Sequence, residues 1–262
     1  MNINVELNKI IEYIEDHLEE KIDYKEISSM IGINEYTFQK IFLVISNVSL
    51  PEYIRNRRLS NAGQELVLKN EKIIDVALKY QYNNATSFSR AFEKFHGIKP
   101  SQVRKNPDRL KMYTKLHFNE SYQYNKKIEY KIVEREQIVI YGNCKITTNE
   151  KIKNDAPKFY IKNQIKYGKP PYGMVEYKDK ERLNIKCYWV LYKKDLGKMQ
   201  KWIIPEGKWI QIKVKSQDEK DIQKVSNMFY KEVLPICKYN FKFLPDMEFY
   251  HDGIVDFLVP IE

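Results

Sequence analysis

Two stretches of this chain repeat each other, and the repetition limits the possible folds more tightly than any bulk property does. The first is SSMIGIN at 28–34 followed by FQKIF at 38–42; the second is ALKYQYNN at 77–84 followed by FSRAF at 88–92. Each copy has a small residue one helix ahead of a turn, an asparagine before the next helix, and an aromatic-x-basic-x-aromatic run. A helix-turn-helix needs these residue types. Ser28 or Ala77 lets two helices approach closely, and Asn34, and Asn83 or Asn84, can satisfy the free N–H groups that open the second helix. Phe38 and Phe42, like Phe88 and Phe92, lie four apart and share a core-facing side. The opposite side is what double-stranded DNA would meet: Tyr36, Gln39 and Lys40 in the first copy, and Thr86, Ser87 and Arg90 in the second.

Between the copies, residues 51–67 predict one long helix, with Ser49 near its cap, Pro51 in its first turn, and Tyr53, Leu59, Ala62 and Leu66 as its apolar stripe. Such a rod can hold two recognition helices about one DNA turn (~34 Å) apart, so that both enter successive major grooves from one side. Ahead of it, Leu7, Ile10, Ile11, Ile14 and Leu18 mark an amphipathic first helix with an acidic outer face. Charge divides in the same way. Residues 1–26 carry 3 basic and 8 acidic side chains, whereas residues 27–112 carry 14 and 7, an excess of positive charge where a DNA-binding face would lie.

EYIRNRRL at 52–59 and SFSRAFEKFHGIKP at 87–100 resemble the signature of the AraC/XylS transcription regulators, and the likeness spans about residues 5–105. It implies an all-α double helix-turn-helix DNA-binding domain, taken as residues 1–108, in which Tyr36, Gln39, Lys40, Thr86, Ser87 and Arg90 reach bases or phosphates. RNA polymerase is a further candidate partner. Two positions depart from the family pattern. Gln81 stands where glycine is usual in the second turn, so a left-handed backbone there would be strained. Leu43 and Val44 replace the usual basic continuation of the first recognition helix, which implies weaker DNA contact or burial against another element.

From about residue 104 the chain turns polar, passes through Asn106-Pro107 and loses helical periodicity; residues 109–126 read as a linker. Beyond it, stretches rich in Val, Ile, Tyr and Trp at 128–136, 137–141, 172–178, 183–193, 209–214, 247–250 and 254–259 predict strands. Helices are predicted at 156–166 and 219–233. Residues 127–262 therefore read as an α+β domain, with helices on one side of a largely antiparallel sheet.

PEGKWIQI at 205–212, LP at 234–235, EFY at 248–250 and VPIE at 259–262 resemble the GyrI-like effector-binding domains. That likeness implies a small-molecule effector, often a cationic amphiphile, held in an aromatic pocket, and it carries Glu248 over as the pocket carboxylate. Tyr172, Trp189, Trp209 and Tyr250 are candidate walls and Glu176 a second carboxylate, although a large aromatic on a strand is more often plain core. One alternative is a domain that recruits another protein through its basic surface. Another is a hydrolase of small molecules, with Glu248 as general base. Against catalysis, only His251 of the four histidines could approach Glu248, and no nucleophile elbow, zinc-ligand pair or phosphate-cradling glycine loop is present. The expectation is a regulator, not an enzyme.

Cys144, Cys187 and Cys237 are odd in number, far apart and without a C-x-x-C pair, so neither a disulfide framework nor a structural metal site is expected, and no cofactor is implied. The longest bulky apolar run, 41–45, is too short to span a bilayer, and the N-terminus has no export pattern. A cytoplasmic location is expected.

Overall fold

The computed structural model describes residues 2–69, 71–122, 128–148, 150–179, 183 and 185–262, and the backbone alone of residue 219. They divide into two units: Met1–Ile31 with Val48–Tyr122, and Gly32–Asn47 with Gln123–Glu262. The division does not respect the first helix-turn-helix, because its second helix belongs to the second unit.

The first unit holds α1 (Ile3–Asp16), α2 (Tyr24–Ser29), α4 (Leu50–Leu68), α5 (Ile73–Lys79) and α6 (Ala85–His96). Leu59, Ala62 and Leu66 of α4, Val76 and Ala77 of α5, and Phe88 and Phe92 of α6 form one buried cluster, as the three- and four-residue spacing requires. Of the two candidate caps, Asn84 is the one used: its Oδ1 accepts the Ser87 N–H at 2.8 Å. Gln81 does adopt a left-handed backbone, φ 66°, and its side-chain amide donates to the Glu19 carbonyl at 2.5 Å. That bond works against the roughly 1–2 kcal/mol such a conformation costs a residue with a Cβ.

Two arginines of the 52–59 stretch, Arg57 and Arg58, are braces. Arg57 donates from Nε and Nη2 to the two carboxylate oxygens of Glu15 at 2.8 and 2.6 Å, and the Tyr53 hydroxyl donates to the same carboxylate, tying α4 to α1. Arg58 donates to the carbonyls of Leu18 and Glu20, closing the chain that follows α1.

The expected linker is corrected over residues 109–122, which strap the first unit. Lys111 N–H donates to His96 Nδ1, Tyr113 N–H to Ser60 Oγ, and Phe118 N–H to Asn8 Oδ1. Leu110 packs on the α4–α6 core, and Phe118 is buried. A polar, aperiodic sequence says only that a segment is not a helix; side chains distant in sequence satisfy its backbone here. Residues 123–126 of that linker lie outside the described residues.

The second unit is built on an antiparallel sheet: β1 (Lys131–Arg135), β2 (Ile138–Thr148), β3 (Tyr172–Tyr177), β4 (Ile185–Tyr192), β5 (Gln200–Ile204), β6 (Gly207–Val214), β7 (Asp246–His251) and β8 (Ile254–Ile261), in the order β1-β6-β8-β7-β3-β4-β2-β5. The sequence reading missed β5, a short edge strand, and ended β2 early, because Gly142, Asn143, Lys145 and the threonines interrupt its apolar run. Val133 of β1 and Trp202 and Ile204 of β5, from the two edges, join one core cluster with Trp189, Trp209, Met174 and Met247. The sheet is therefore curled, with that face closed on itself. Its other face carries α7 (Ile152–Tyr167), packed on Tyr188, Val190 and Tyr192, and α8 (Glu219–Met228), packed on Val214 and Val255. A π-turn, Phe229–Val233, and a 3-10 turn, Leu234–Ile236, follow α8, and α3 (Glu35–Ser46) also belongs to this unit.

His96 gives the first unit a pH dependence. It is buried, its Nε2 lies 3.0 Å from the Leu59 carbonyl, and its Nδ1 accepts from Lys111, so the bonded ring is neutral and protonated on Nε2. Burial lowers its pKa from the ordinary histidine value. The unfolded chain then binds a proton below pH ~6.5 that the folded unit refuses, so stability is full above that pH and falls on acidification. Thermal unfolding of the full chain should show this loss on acidification below about pH 6.5, and His96→Gln should flatten it.

Candidate functional site

The two recognition helices differ sharply. On α6, Thr86, Ser87 and Arg90 are exposed, although the Ser87 hydroxyl already donates to the Asn84 carbonyl at 3.0 Å. On α3, Gln39 and Lys40 are buried, at 4% and 1% exposure, and Tyr36 is half-buried. The expectation of an exposed DNA-facing side on α3 is corrected on this point. The physical reason was visible at 43 and 44: with Ile41, Phe42, Leu43 and Val44 in succession the helix is apolar nearly all round, and such a helix is buried.

The start of α3 is tied to residues 240–243 and 262. Asn34 caps it through the Thr37 N–H at 2.8 Å, while its side-chain amide donates to the Phe241 carbonyl and to Glu262, and its backbone N–H to Asn240. Phe241 N–H donates to Thr37 Oγ1 at 2.7 Å, and the rings of Tyr36 and Phe243 meet edge to face at 5.0 Å.

A cavity of about 790 Å³ lies between the sheet and the helices of this unit, within the size range of small-molecule sites. Leu43, Val44 and Asn47 of α3, Tyr160 and Ile161 of α7, and Ile222 and Asn227 of α8 line it. From the sheet come Val175, Tyr177, Lys186, Tyr188, Asp246, Glu248, Tyr250 and Phe257. Asp246 and Glu248 are two apart on β7, so the pleat aims both carboxylates the same way. The Tyr250 hydroxyl donates to Glu248, and that of Tyr230 to Asp246. Burial, reinforced by the neighbouring Glu248 charge, raises the Tyr250 hydroxyl well above its ordinary pKa and leaves it a firm donor. Burial likewise pushes Tyr160 up to about 12. The Lys186 amine, 4.8 Å from the Tyr177 ring centre, is pushed down to about 8 by burial, against the pull of Asp246.

Of the pocket residues expected from sequence, Glu248 and Tyr250 reach this cavity. Tyr172, Trp189, Trp209 and Glu176 do not. Met174 pairs with both Trp189 and Met247, and Leu258 with both Met247 and Gln211, two residues from Trp209, whereas Glu248 pairs with Gly173, so these four side chains lie on the opposite face of the sheet. Tyr172, Trp189 and Trp209 fill the closed core there, and Glu176 accepts the Trp189 indole N–H at 3.0 Å and pairs with Lys178 at 2.8 Å. His251 also sits on that face, 3.0 Å from Asp256, away from Glu248. The sequence reading missed Asp246, which two-residue spacing from Glu248 on the same strand could have found, and Lys186 and Tyr188, whose facing is set by strand pairing. It also missed Tyr160 and Tyr230, which only helix packing brings in.

Among the described residues no group of His, Cys, Asp and Glu has the makings of a metal site, and no helix is long and apolar enough to cross a membrane. The three cysteines are free thiols.

A helix-turn-helix domain family model matches residues 27–106, a span that includes both copies of the repeat. The transcriptional activator AarP of Providencia stuartii is 36% identical over 98 residues, 37% of this chain and 73% of that protein. The probable transcription factor PqrA of Proteus vulgaris is 32% identical over 102 residues, 38% of this chain and 84% of that protein. Among solved structures, an integron cassette protein of Vibrio cholerae aligns with a TM-score of 0.43 at 16% identity, over 51% of this chain and 95% of that one.

The convergence on Glu248 depends on Gly173. A Cβ there would lie 2.6 Å from Glu248 Oε2, 3.2 Å from the Tyr188 hydroxyl and 3.3 Å from the Tyr250 hydroxyl. Gly173→Ala should therefore push Glu248 off Tyr250 and destabilise the unit by about 1–3 kcal/mol, the usual cost of overpacking, as read from denaturant unfolding of the full chain.

Proposed function

The chain belongs to the AraC-type helix-turn-helix transcription regulators, and from that premise we propose that it is switched by a cationic, largely apolar small molecule bound in the 790 Å³ cavity of its second unit. The observation that carries this reading is the pair of carboxylates on one face of β7 among tyrosine side chains. An anion walled by aromatic rings is costly to desolvate alone, and a positively charged ligand answers that cost. Ring faces add about 0.5–2 kcal/mol each for the same charge when desolvated, and their area rewards a greasy body without demanding one shape. Glu248 serves as the anchor. Tyr250 and Tyr188 orient it, and Tyr160 and Phe257 supply apolar wall.

The likeness of about residues 127–262 to GyrI-like domains supports the same reading. The hydrolase alternative loses its nearest histidine, since His251 points to the other face. On the DNA side, Arg90, with Thr86 and Ser87, is the exposed reading set.

Two measurements test this. Benzyltrimethylammonium and its neutral isostere neopentylbenzene differ in charge at constant shape. Titrated into the full chain, the cation should bind Glu248→Gln at least about tenfold more weakly than wild type, ~1.4 kcal/mol, while the isostere changes little. Equal losses for both would mean that Glu248 only shapes the wall. For DNA, Arg90→Ala should cost about 1–3 kcal/mol of specific binding in a mobility-shift titration, whereas Lys9→Ala, on the acidic outer face of α1, should stay within about 0.5 kcal/mol. Similar losses from both would show that bulk charge alone is being measured.

A further inference from the structure

Lys40 occupies a position a bound cation would take. Its ammonium lies 3.2 and 3.4 Å from the two carboxylate oxygens of Asp246, with both side chains almost fully buried, at 2% and 6% exposure. Around it stand the rings of Tyr230 at 4.8 Å, Tyr36 at 5.5 Å, and Tyr177 and Phe241 at 5.8 Å. This is an aromatic cage closed by a carboxylate, the arrangement proteins use to recognise ammonium groups.

The cage is a poor reason to keep a lysine. A buried ion pair is seldom more stable than well-packed apolar residues of the same volume. Gln39, beside it, adds a second cost: its amide donates to Glu35 at 2.9 Å, but its carbonyl oxygen is buried without a hydrogen-bond partner among the described residues. Both costs fall on side chains at the DNA-reading positions of a recognition helix, where each would find a phosphate or base edge. The polar groups suit a second location, and the burial is one of two states.

We propose that Lys40 is the resident ligand of the Asp246 cage, and that a cationic molecule entering the adjoining cavity displaces it and so frees α3 to contact DNA. This rests on the reading of the cavity as an effector site. Asp246, Tyr177 and Tyr230 belong to the cage and to the cavity wall at once, so one carboxylate is contested by two cations. Leu43, Val44 and Asn47 of the same helix also line the cavity, so a ligand of sufficient volume presses on the element it releases. A molecule that binds only the released form, present at a hundred times its Kd, shifts the balance about a hundredfold.

The test uses the full chain, a duplex selected by the protein from random sequence, and benzyltrimethylammonium as the probe. Without probe, wild type should protect one major-groove segment, and Asp246→Asn, which strands the Lys40 charge, should bind about tenfold more tightly and protect a second. Probe should bring wild type to that footprint and leave the variant unchanged. Lys40→Met gives a readout that needs no DNA: with the resident cation gone, the probe should bind about tenfold more tightly than to wild type. Identical footprints for wild type and Asp246→Asn, or unchanged probe affinity in Lys40→Met, overturn the proposal. Should Asp246→Asn fail to fold, Tyr230→Phe weakens the cage while keeping the carboxylate, and its footprint decides in its place. If the probe binds neither wild type nor Lys40→Met, the effector reading falls alone, and the footprint of the unliganded variant still decides the latch.

Discussion

A carboxylate carried into the interior of a sheet must be answered, and Asp246 is answered by the Lys40 ammonium and the Tyr230 hydroxyl, inside a ring of aromatic faces that also favour the cation. Much of the second unit follows from that demand. It brings a lysine of α3 onto the sheet, it leaves Lys186 beside the same charge with its amine held down by burial, and it sets one end of the cavity. The pair is weak support for stability, because two desolvated ions recover little more than they lose. It is better understood as a choice of partner: of the surfaces on α3, the one with a cation at its centre is the one that Asp246 accepts.

The sheet keeps its two chemistries apart through the two-residue period of its strands. On β7, Asp246, Glu248 and Tyr250 face the cavity, while Met247 and Phe249 pack on the closed face. On β4, Lys186 and Tyr188 face the cavity, while Cys187 and Trp189 pack on the other side. The heaviest aromatics are spent on the dry core and the tyrosines on the cavity. Tryptophan supplies area, whereas a tyrosine also brings a hydroxyl that can address a carboxylate. Close approach is bought by glycine at two places. At Gly173 a side chain would strike Glu248, and at Gly142 a Cβ would sit 2.2 Å from the Val190 carbonyl oxygen.

In the first unit the positive charge is less available than its count implies. Arg57 and Arg58 are bound to Glu15 and to backbone carbonyls, Arg104 donates to the Leu66 and Glu71 carbonyls, and Lys79 bridges Glu65 and Glu19. These side chains hold α1, α4 and the segments between helices in register. Arg90 on α6, by contrast, is exposed.

The repeat, the caps and the four-residue aromatic spacing determined the helices of the first unit, because helix formation and its core face depend on neighbours within a turn or two. Alternation likewise made most strands legible, and the EFY run located Glu248. Three things were decided by tertiary structure alone. Residues 109–122 became a strap because Asn8, Ser60 and His96, distant in sequence, satisfy their backbone. Trp189, Trp209, Tyr172 and Glu176 fell on the far face because strand pairing sets which parity looks into the cavity, and a single strand carries no label for it. Lys40 was legible as a basic residue on a recognition helix. That it is buried against Asp246, 206 positions away, follows from a pairing of charges that no local pattern encodes.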